Sequence, residues 1–341
     1  MRLGTETVGA YLRDSGVAPL DAELSVEPLG GGVSNGVFRV SWPGDEVVVK
    51  QPLPNLDVDD DWPADVTRVH NEAAATRVYR DALEHERVEH VVVPEVRFED
   101  HDEHVVVLSA APRTARTWKS DLLDGSVEPA VAATLGEFLA LVRSFSADRA
   151  SIRDEFENYT PFEQLRLDPY HETVARRHPD VAAEIEAEVD RVRNTRTALV
   201  HGDYSPKNVL VDDATSPTSL WMLDFEVAHW GDPTFDVAFM LNHLLVKSVY
   251  NHERSDEYVS AAATFWERYT TTADTDRSFE AGVVSELGVL MLARVDGKSP
   301  VEYVRRERTK EQLRALAKRL VRADPPTIQR AIRLRSEVCV T

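Results

Sequence analysis

Apolar residues in the first hundred positions come in short β-branched runs, at 36–40, 46–49, 90–93 and 105–108. Runs of this length bounded by turn residues predict strands. Between the second and third of them, residues 65–83 carry Val69, Ala73, Thr76 and Tyr79 at helical spacing. Strands with one helix predict a small first lobe. From Pro112 onward the spacing is mostly helical, and 129–145 sets Val131, Leu135, Phe138, Leu139 and Val142 on one face. The segments 181–192, 235–247, 261–269, 281–293 and 309–321 read the same way. Three short apolar strands, 197–200, 209–211 and 220–223, interrupt this series. The predicted class is α+β and bilobal. A β-rich lobe covers residues 1–108, a Ser-Ala-Ala-Pro-Arg connector covers 109–113, and a mostly helical lobe covers 114–341. No internal repeat or low-complexity tract is visible, and the acidic stretch 57–61 reads as a loop.

Composition narrows the classes. The 341 residues, 43% hydrophobic and 29% charged, suffice for one large two-lobed unit with a sizeable core. No apolar run approaches the ~20 residues of a membrane helix, and the N-terminus lacks an apolar signal centre. One cysteine, Cys339, excludes an intrachain disulfide framework and fits a reducing compartment. A cytoplasmic location is therefore expected. Asp and Glu number 59 against 39 Lys and Arg, a net charge of −20. Such a surface repels phosphate backbones and anionic lipid, which argues against nucleic-acid or membrane partners. Only 7 of the 39 basic residues are lysine. Acid-rich and lysine-poor together suggest a surface for a high-salt cytoplasm, where screening makes self-repulsion cheap; the alternative is an ordinary acidic protein from a GC-rich genome.

Chemistry concentrates in His201-Gly202-Asp203-Tyr204-Ser205-Pro206-Lys207-Asn208 and, after a strand and a turn, in Asp224-Phe225-Glu226. Either alone is a tight turn or a solvated loop. Together, with Asp203 and Asp224 21 residues apart, they supply what phosphoryl transfer needs. That is a carboxylate beside the acceptor hydroxyl and hard oxygen ligands for magnesium. The spacing of Asp203 to Asn208 and the later Asp224 matches the protein-kinase catalytic set. Asp203 is the expected base, and Asn208 and Asp224 the expected Mg2+ ligands. Upstream, Leu29 to Phe38 holds Gly30, Gly31, Gly32, Ser34 and Asn35, a glycine-rich connection able to bring backbone amides close to the phosphates of ATP. Lys50 ends the next strand, within reach of the α/β-phosphates, and Glu72 on the one helix of the first lobe is its expected partner, ahead of Glu84 and Glu86.

These residues resemble the aminoglycoside phosphotransferase and choline kinase superfamily over about 29–245. The resemblance implies a bilobal protein-kinase-like fold, ATP in the cleft and adenine against 109–113. It also implies that Asp236 braces the catalytic loop. The first lobe is most similar to 5-methylthioribose kinase, through 30–38, Val48-Val49-Lys50-Gln51, Trp62-Pro63, Arg68 and Glu72. The second lobe departs from that family at Tyr204-Ser205-Pro206-Lys207-Asn208, and its Asp224-Phe225-Glu226 also looks like choline and ethanolamine kinases. In this subgroup Glu226 is a further candidate metal ligand. The implied reaction is transfer from Mg-ATP to a hydroxyl of a small molecule, with a methylthioribose-like sugar ahead of choline, another amino alcohol or an aminoglycoside. A nucleotide-sensing pseudokinase is the reading from another class, opposed by the complete set Lys50, Asp203, Asn208 and Asp224. For the acceptor, Trp230, Tyr250, Trp266 and Tyr269 are candidate cage aromatics, and the turn 294–300 concentrates the cations Arg294 and Lys298.

Overall fold

The computed structural model describes residues 2–30, 33–58, 61–216, 218–323 and 326–339. Strands β1 (Ser25–Pro28), β2 (Asn35–Trp42), β3 (Asp45–Pro52), β5 (Val96–Asp100) and β6 (Val105–Ser109) form an antiparallel sheet in the order β1-β2-β3-β6-β5. Its centre is covered on both faces. Val47, Val49, Val105 and Val107 pack under the helix Val8–Asp14, with Val8 and Leu12. On the other face Val106 and Leu108 meet Val69 and Ala73 of the helix Arg68–Glu86. Burial on both faces is why 105–108 reads as an unbroken apolar run.

A second sheet has the order β4-β10-β9-β7, from β4 (Val91–Val92), β10 (Ser219–Met222), β9 (Val209–Asp212) and β7 (Arg116–Thr117). Here the expectation for 90–93 needs correction. The segment is a two-residue strand that runs parallel to β10, outside the first sheet, because Val91 and Val93 are buried with Val211 and Leu220 in the large core. A pair formed by β8 (Ala198–Val200) and β11 (His229–Gly231) completes the strands.

The helices expected after Pro112 are present, with bounds that differ by a few residues: Pro129–Ala147, Ala182–Asn194, Thr234–Tyr250, Ser255–Thr272, Arg277–Asp296 and Glu307–Leu320. The pattern did not foresee Trp118–Leu123, Ala150–Glu155, Ile328–Cys339 or the helical run Thr160–Arg177. The middle of that run, Glu163–Glu172, is π-helical with Pro169 inside. Proline has no N–H to continue the regular ladder, and a wider turn absorbs the gap.

Pro129–Ala147 also corrects the reading of apolar runs. By length and composition it is apolar enough to cross a membrane, yet more than half of it is buried inside the fold. It lies so close to Ser255–Thr272 that a Cβ on Gly136 would stand 2.3 Å from the Phe265 carbonyl oxygen. Backbone cannot yield as a side chain would. Gly136→Ala is therefore expected to lower stability by about 1–3 kcal/mol, read as a reduced denaturation midpoint in urea; an unchanged midpoint would contradict this packing.

Candidate active site

β8 delivers the chain into His201-Gly202-Asp203, and a buried carboxylate pins the turn. Asp236, near the start of Thr234–Tyr250, accepts from His201 N at 2.6 Å and Gly202 N at 2.9 Å. Burial pushes its carboxyl up to about 7, against those two amides. Gly202 has φ +76°, and a Cβ there would lie 2.6 Å from the Val227 carbonyl, so any other residue meets both strain and a clash. The His201 ring links this turn to the loop that begins at Leu223. Its Nε2–H donates to the Leu223 carbonyl (3.2 Å) and its Nδ1 accepts from Asp203 N (3.2 Å). This pairing requires a neutral imidazole, and burial lowers the pKa to about 4.

Asp203 is buried. Its Oδ2 meets Lys207 Nζ at 2.8 Å and Arg166 Nη2 at 3.1 Å. Burial opposes ionisation, but Lys207 and Arg166 outweigh it and hold the carboxyl below the usual range. Asn208 donates through Nδ2 to the Asp203 carbonyl at 2.9 Å. Across the junction Asp224 has a left-handed backbone, φ +73°, uncommon for a non-glycine and concentrated at functional sites. Lys50 Nζ bridges Glu72 Oε1 at 2.5 Å and Asp224 Oδ1 at 2.9 Å, while Lys207 Nζ reaches Asp224 Oδ2 at 3.9 Å. For Asp224 burial is again outweighed, by Lys50 and Lys207, and its carboxyl is held well below the usual range. Burial pushes Glu72 up to about 7 against the pull of Lys50. Lys50 itself stays an ammonium: burial disfavours its charge, and Asp224 and Glu72 more than restore it. Carboxylate and amide oxygens from Asp224 and Asn208 are a donor set that suits a hard divalent cation.

Glu226 is engaged elsewhere. Its Oε2 accepts from Arg68 Nε and from Asn35 Nδ2, both at 2.9 Å. Arg68 also donates to the carbonyls of Ser34 (2.5 Å), Asp65 (2.8 Å) and Leu53 (3.0 Å). The glycine-rich connection, the end of β3 and the Asp224-Phe225-Glu226 loop are thus tied to one guanidinium. Asn35 also donates to Ser34 Oγ at 3.0 Å, and Gly30 has open space where a Cβ would stand. Gly31 and Gly32 lie outside the described residues. Trp62 is a buried anchor, its Nε1 donating to the Gln164 carbonyl at 2.9 Å.

The structure brings Lys50, Glu72, Asp224 and Asp203 into one charge network through Lys207, with Asn208 bonded to the Asp203 main chain and Glu226 and Asn35 bonded to each other nearby. It does not gather the four candidate aromatics. Trp230 bonds to the Arg196 carbonyl, Tyr250 packs on Tyr303, and Trp266 and Tyr269 stack beside Phe279. Sequence reasoning missed Arg166 and gave Lys207 no role. The position of Lys207, four residues after Asp203, was a usable signal; Arg166, on the π-helical turn, had none.

A model of the phosphotransferase enzyme family matches residues 25–278. Methylthioribose kinases of Exiguobacterium sibiricum and Bacillus cereus are 25% and 24% identical over 281 and 276 residues. Each alignment spans 73% of this chain, and 68% and 67% of the respective relative. Among solved structures, a spectinomycin phosphotransferase in complex with ADP and spectinomycin has TM-score 0.52 and 13% identity, covering 98% of this chain and 99% of that one. An amicoumacin kinase in complex with AMP-PNP and Ca2+ has TM-score 0.52 and 15% identity, covering 94% of each. These two likenesses establish the fold.

Burial sets the response to acid. His229, packed between Phe162 and Tyr159, is lowered to about 3 by burial, and His201 to about 4. Folded pKa values below the unfolded ~6.5 mean that their contribution is full above that pH and is lost as pH falls. Asp236 and Glu72, raised to about 7, have the opposite sign: they favour the fold at low pH and lose that contribution as pH rises toward 7. His229→Leu removes one acid-sensitive group from this balance. Its unfolding free energy is expected to fall less than that of the wild type between pH 7 and 4, by on the order of 2 kcal/mol. Parallel pH profiles from thermal melts would contradict that.

Proposed function

This chain belongs to the phosphotransferase enzyme family, and we propose that it transfers the terminal phosphoryl group of Mg-ATP to a hydroxyl of a small, sugar-like molecule related to methylthioribose. The observation that carries the reading is the joined network of Lys50, Glu72, Asp224, Lys207, Asp203 and Arg166. It pairs a phosphate-reaching lysine at one end with a buried carboxylate at the other. The alignment with methylthioribose kinases supports the sugar-like acceptor. The dispersed aromatics give no support to a choline-type cation.

In this reading Lys50, steadied by Glu72, meets the α/β-phosphates, and the connection holding Gly30, Ser34 and Asn35 covers them, with adenine against 109–113. Asn208 and Asp224 hold the divalent ion, which supplies charge neutralisation on the phosphates. Glu226 has committed Oε2 to Arg68 and Asn35, so it acts first as a clamp and offers a metal only its other oxygen. Asp203 is held below the usual carboxylate range and is a weak base at neutral pH. Its work is to orient the hydroxyl and to take the proton late, once the oxygen is bonding to phosphorus and has become acidic. Lys207, half-exposed between Asp203 and Asp224, can follow the charge of the moving phosphoryl group.

ADP release with methylthioribose, ribose, choline and an aminoglycoside tests the reading. One acceptor is expected to raise release well above background. Asp203→Asn is expected to cut kcat by about 10²–10⁴-fold with little change in the KM for ATP. Comparable turnover in Asp203→Asn would reject the role of Asp203, and failure of the wild type to bind Mg-ATP would reject the phosphotransferase reading.

A further inference from the structure

The first sheet ends at β5, and three imidazoles meet along that edge. Asp100 of β5 pairs with Val105 of β6, so the turn between them is His101-Asp102-Glu103-His104. Asp100 closes this turn, accepting from Asp102 N at 2.9 Å and Glu103 N at 3.0 Å. His104 leaves it with a left-handed backbone, φ +52°, a conformation that histidine takes more readily than most residues. From the helix Arg68–Glu86, His70 and Arg77 both reach this edge, seven residues apart and so on one side of the helix.

Glu99 of β5 joins the two elements. Its Oε2 accepts from Arg77 Nη2 at 2.7 Å, which leaves Oε1 to the imidazoles. Oε1 lies 2.9 Å from His70 Nδ1 and 3.5 Å from His101 Nε2, and the donor atoms of the three residues fall within 4.8 Å of one another. Ligands held around one Zn2+ at about 2.0–2.1 Å stand about 3.3 Å apart, so the two separations from Oε1 bracket a tetrahedral edge. The His70 and His101 rings stack at 4.1 Å, and His101 keeps 73% of its side chain exposed, so its ring is free to turn toward a shared ion. His70 Nε2 stands 3.0 Å from His104 Nδ1, the kind of outer hydrogen bond that fixes the tautomer and direction of a metal-bound imidazole. Burial opposes ionisation of Glu99, but Arg77 and His70 outweigh it and hold the carboxyl below its usual range. Two imidazoles and one carboxylate suit zinc better than magnesium or calcium, which take oxygen ligands.

We propose that His70 Nδ1, Glu99 Oε1 and His101 Nε2 bind one Zn2+ at the edge of the first sheet, with water completing a four-coordinate ion and His104 positioning His70. The ion replaces the proton that lies between His70 Nδ1 and Glu99, and His70 then donates from Nε2 to His104. This site goes beyond the phosphotransferase reading and uses none of its residues. Its consequence for the fold lies in the helix. His70 is two residues from both Arg68 and Glu72, a rotation of about 200°, so it projects from the opposite side of the same turn. Glu72 and Arg68 hold one side of the helix to Lys50 and Glu226, and zinc fastens the other side to the sheet edge.

Zinc titration of the full chain, free of any affinity tag and stripped with EDTA, tests the site, with binding read by competition against a chromophoric chelator. One tight Zn2+ per chain is expected, and saturating Zn2+ is expected to raise the midpoint of thermal unfolding, because the ion binds the folded chain in preference to the unfolded one. His70→Ala and His101→Ala are expected to weaken binding by more than about 100-fold, and His104→Ala by about 10–100-fold. His101 is mostly exposed, so its variant is expected to melt like the metal-free wild type and to report on the ion alone. Asn208 and Asp224 also offer oxygens to a divalent ion, and Asp224→Asn is therefore the control, expected to keep the zinc affinity of the wild type. The proposal is overturned if the wild type binds no Zn2+, if either His70→Ala or His101→Ala binds it as the wild type does, or if Asp224→Asn abolishes it.

Discussion

Buried carboxylates crowd the junction of two short loops, and the site exists only because cations from distant parts of the chain neutralise them. Asp203, Asp224 and Glu226 lie within two dozen residues of one another and Glu72 faces them from the first sheet's helix. Lys50 comes from β3, Arg68 from the helix beside it, Arg166 from the π-helical turn, and only Lys207 is local. Burial works against ionisation of Asp203 and Asp224, and both stay ionised through nearby cations, Lys207 and Arg166 for the first and Lys50 and Lys207 for the second. Removing one partner of a buried pair typically costs about 3–5 kcal/mol, because the other charge is left stranded. The two loops can therefore be buried with their aspartates ionised only when Lys207 and the cations of the sheet, its helix and the run Thr160–Arg177 pack around them. Asp236 solves the same problem differently, facing two backbone amides with its carboxyl pushed toward neutrality.

Arg68 turns that electrostatic requirement into a mechanical one. Its donors hold Ser34, Leu53 and Glu226 together, while Asn71 reaches the carbonyls of Glu226 (3.1 Å) and Ala228 (2.5 Å). The chain entering β2 and the loop that follows Asp224 are consequently one unit. Trp62 adds a second fastening, to the same π-helical run that carries Arg166. Any displacement of the glycine-rich connection must be transmitted through Arg68 to Glu226 and hence to the neighbour of Asp224. Opening of this cleft is expected to involve the helix Arg68–Glu86 as well as the loop itself.

What the sequence made legible follows from how each residue reaches the site. Lys50, Asp203, Asn208 and Asp224 could be read because each sits at a fixed offset from a strand end, where spacing along the chain determines spacing in space. Arg166 could not. Its direction is set by a π-helical turn containing Pro169, and nothing in the apolar pattern marks the extra residue in that turn. The β-branched run at 90–93 announced a strand but not its sheet, since Val91 and Val93 suit either core and the pairing with β10 is a tertiary outcome. For Glu226 the sequence announced a carboxylate next to Asp224 without saying which way it faces. The answer came from Arg68, 158 positions away.

Net charge is the least transferable quantity from composition to site. The −20 of the chain belongs to its surface, where exposed pairs such as Arg254 with Glu257 contribute little and are weakened further by salt. At molar ionic strength the screening length falls to about 3 Å, so a negative surface hardly repels an anion that approaches the cleft. Asp203 is beyond the reach of that screening: it is buried, and Arg166 and Lys207 rather than bulk ions supply its counter-charge. An acidic surface and a site whose carboxylates are matched by nearby cations are compatible because they operate in different dielectrics.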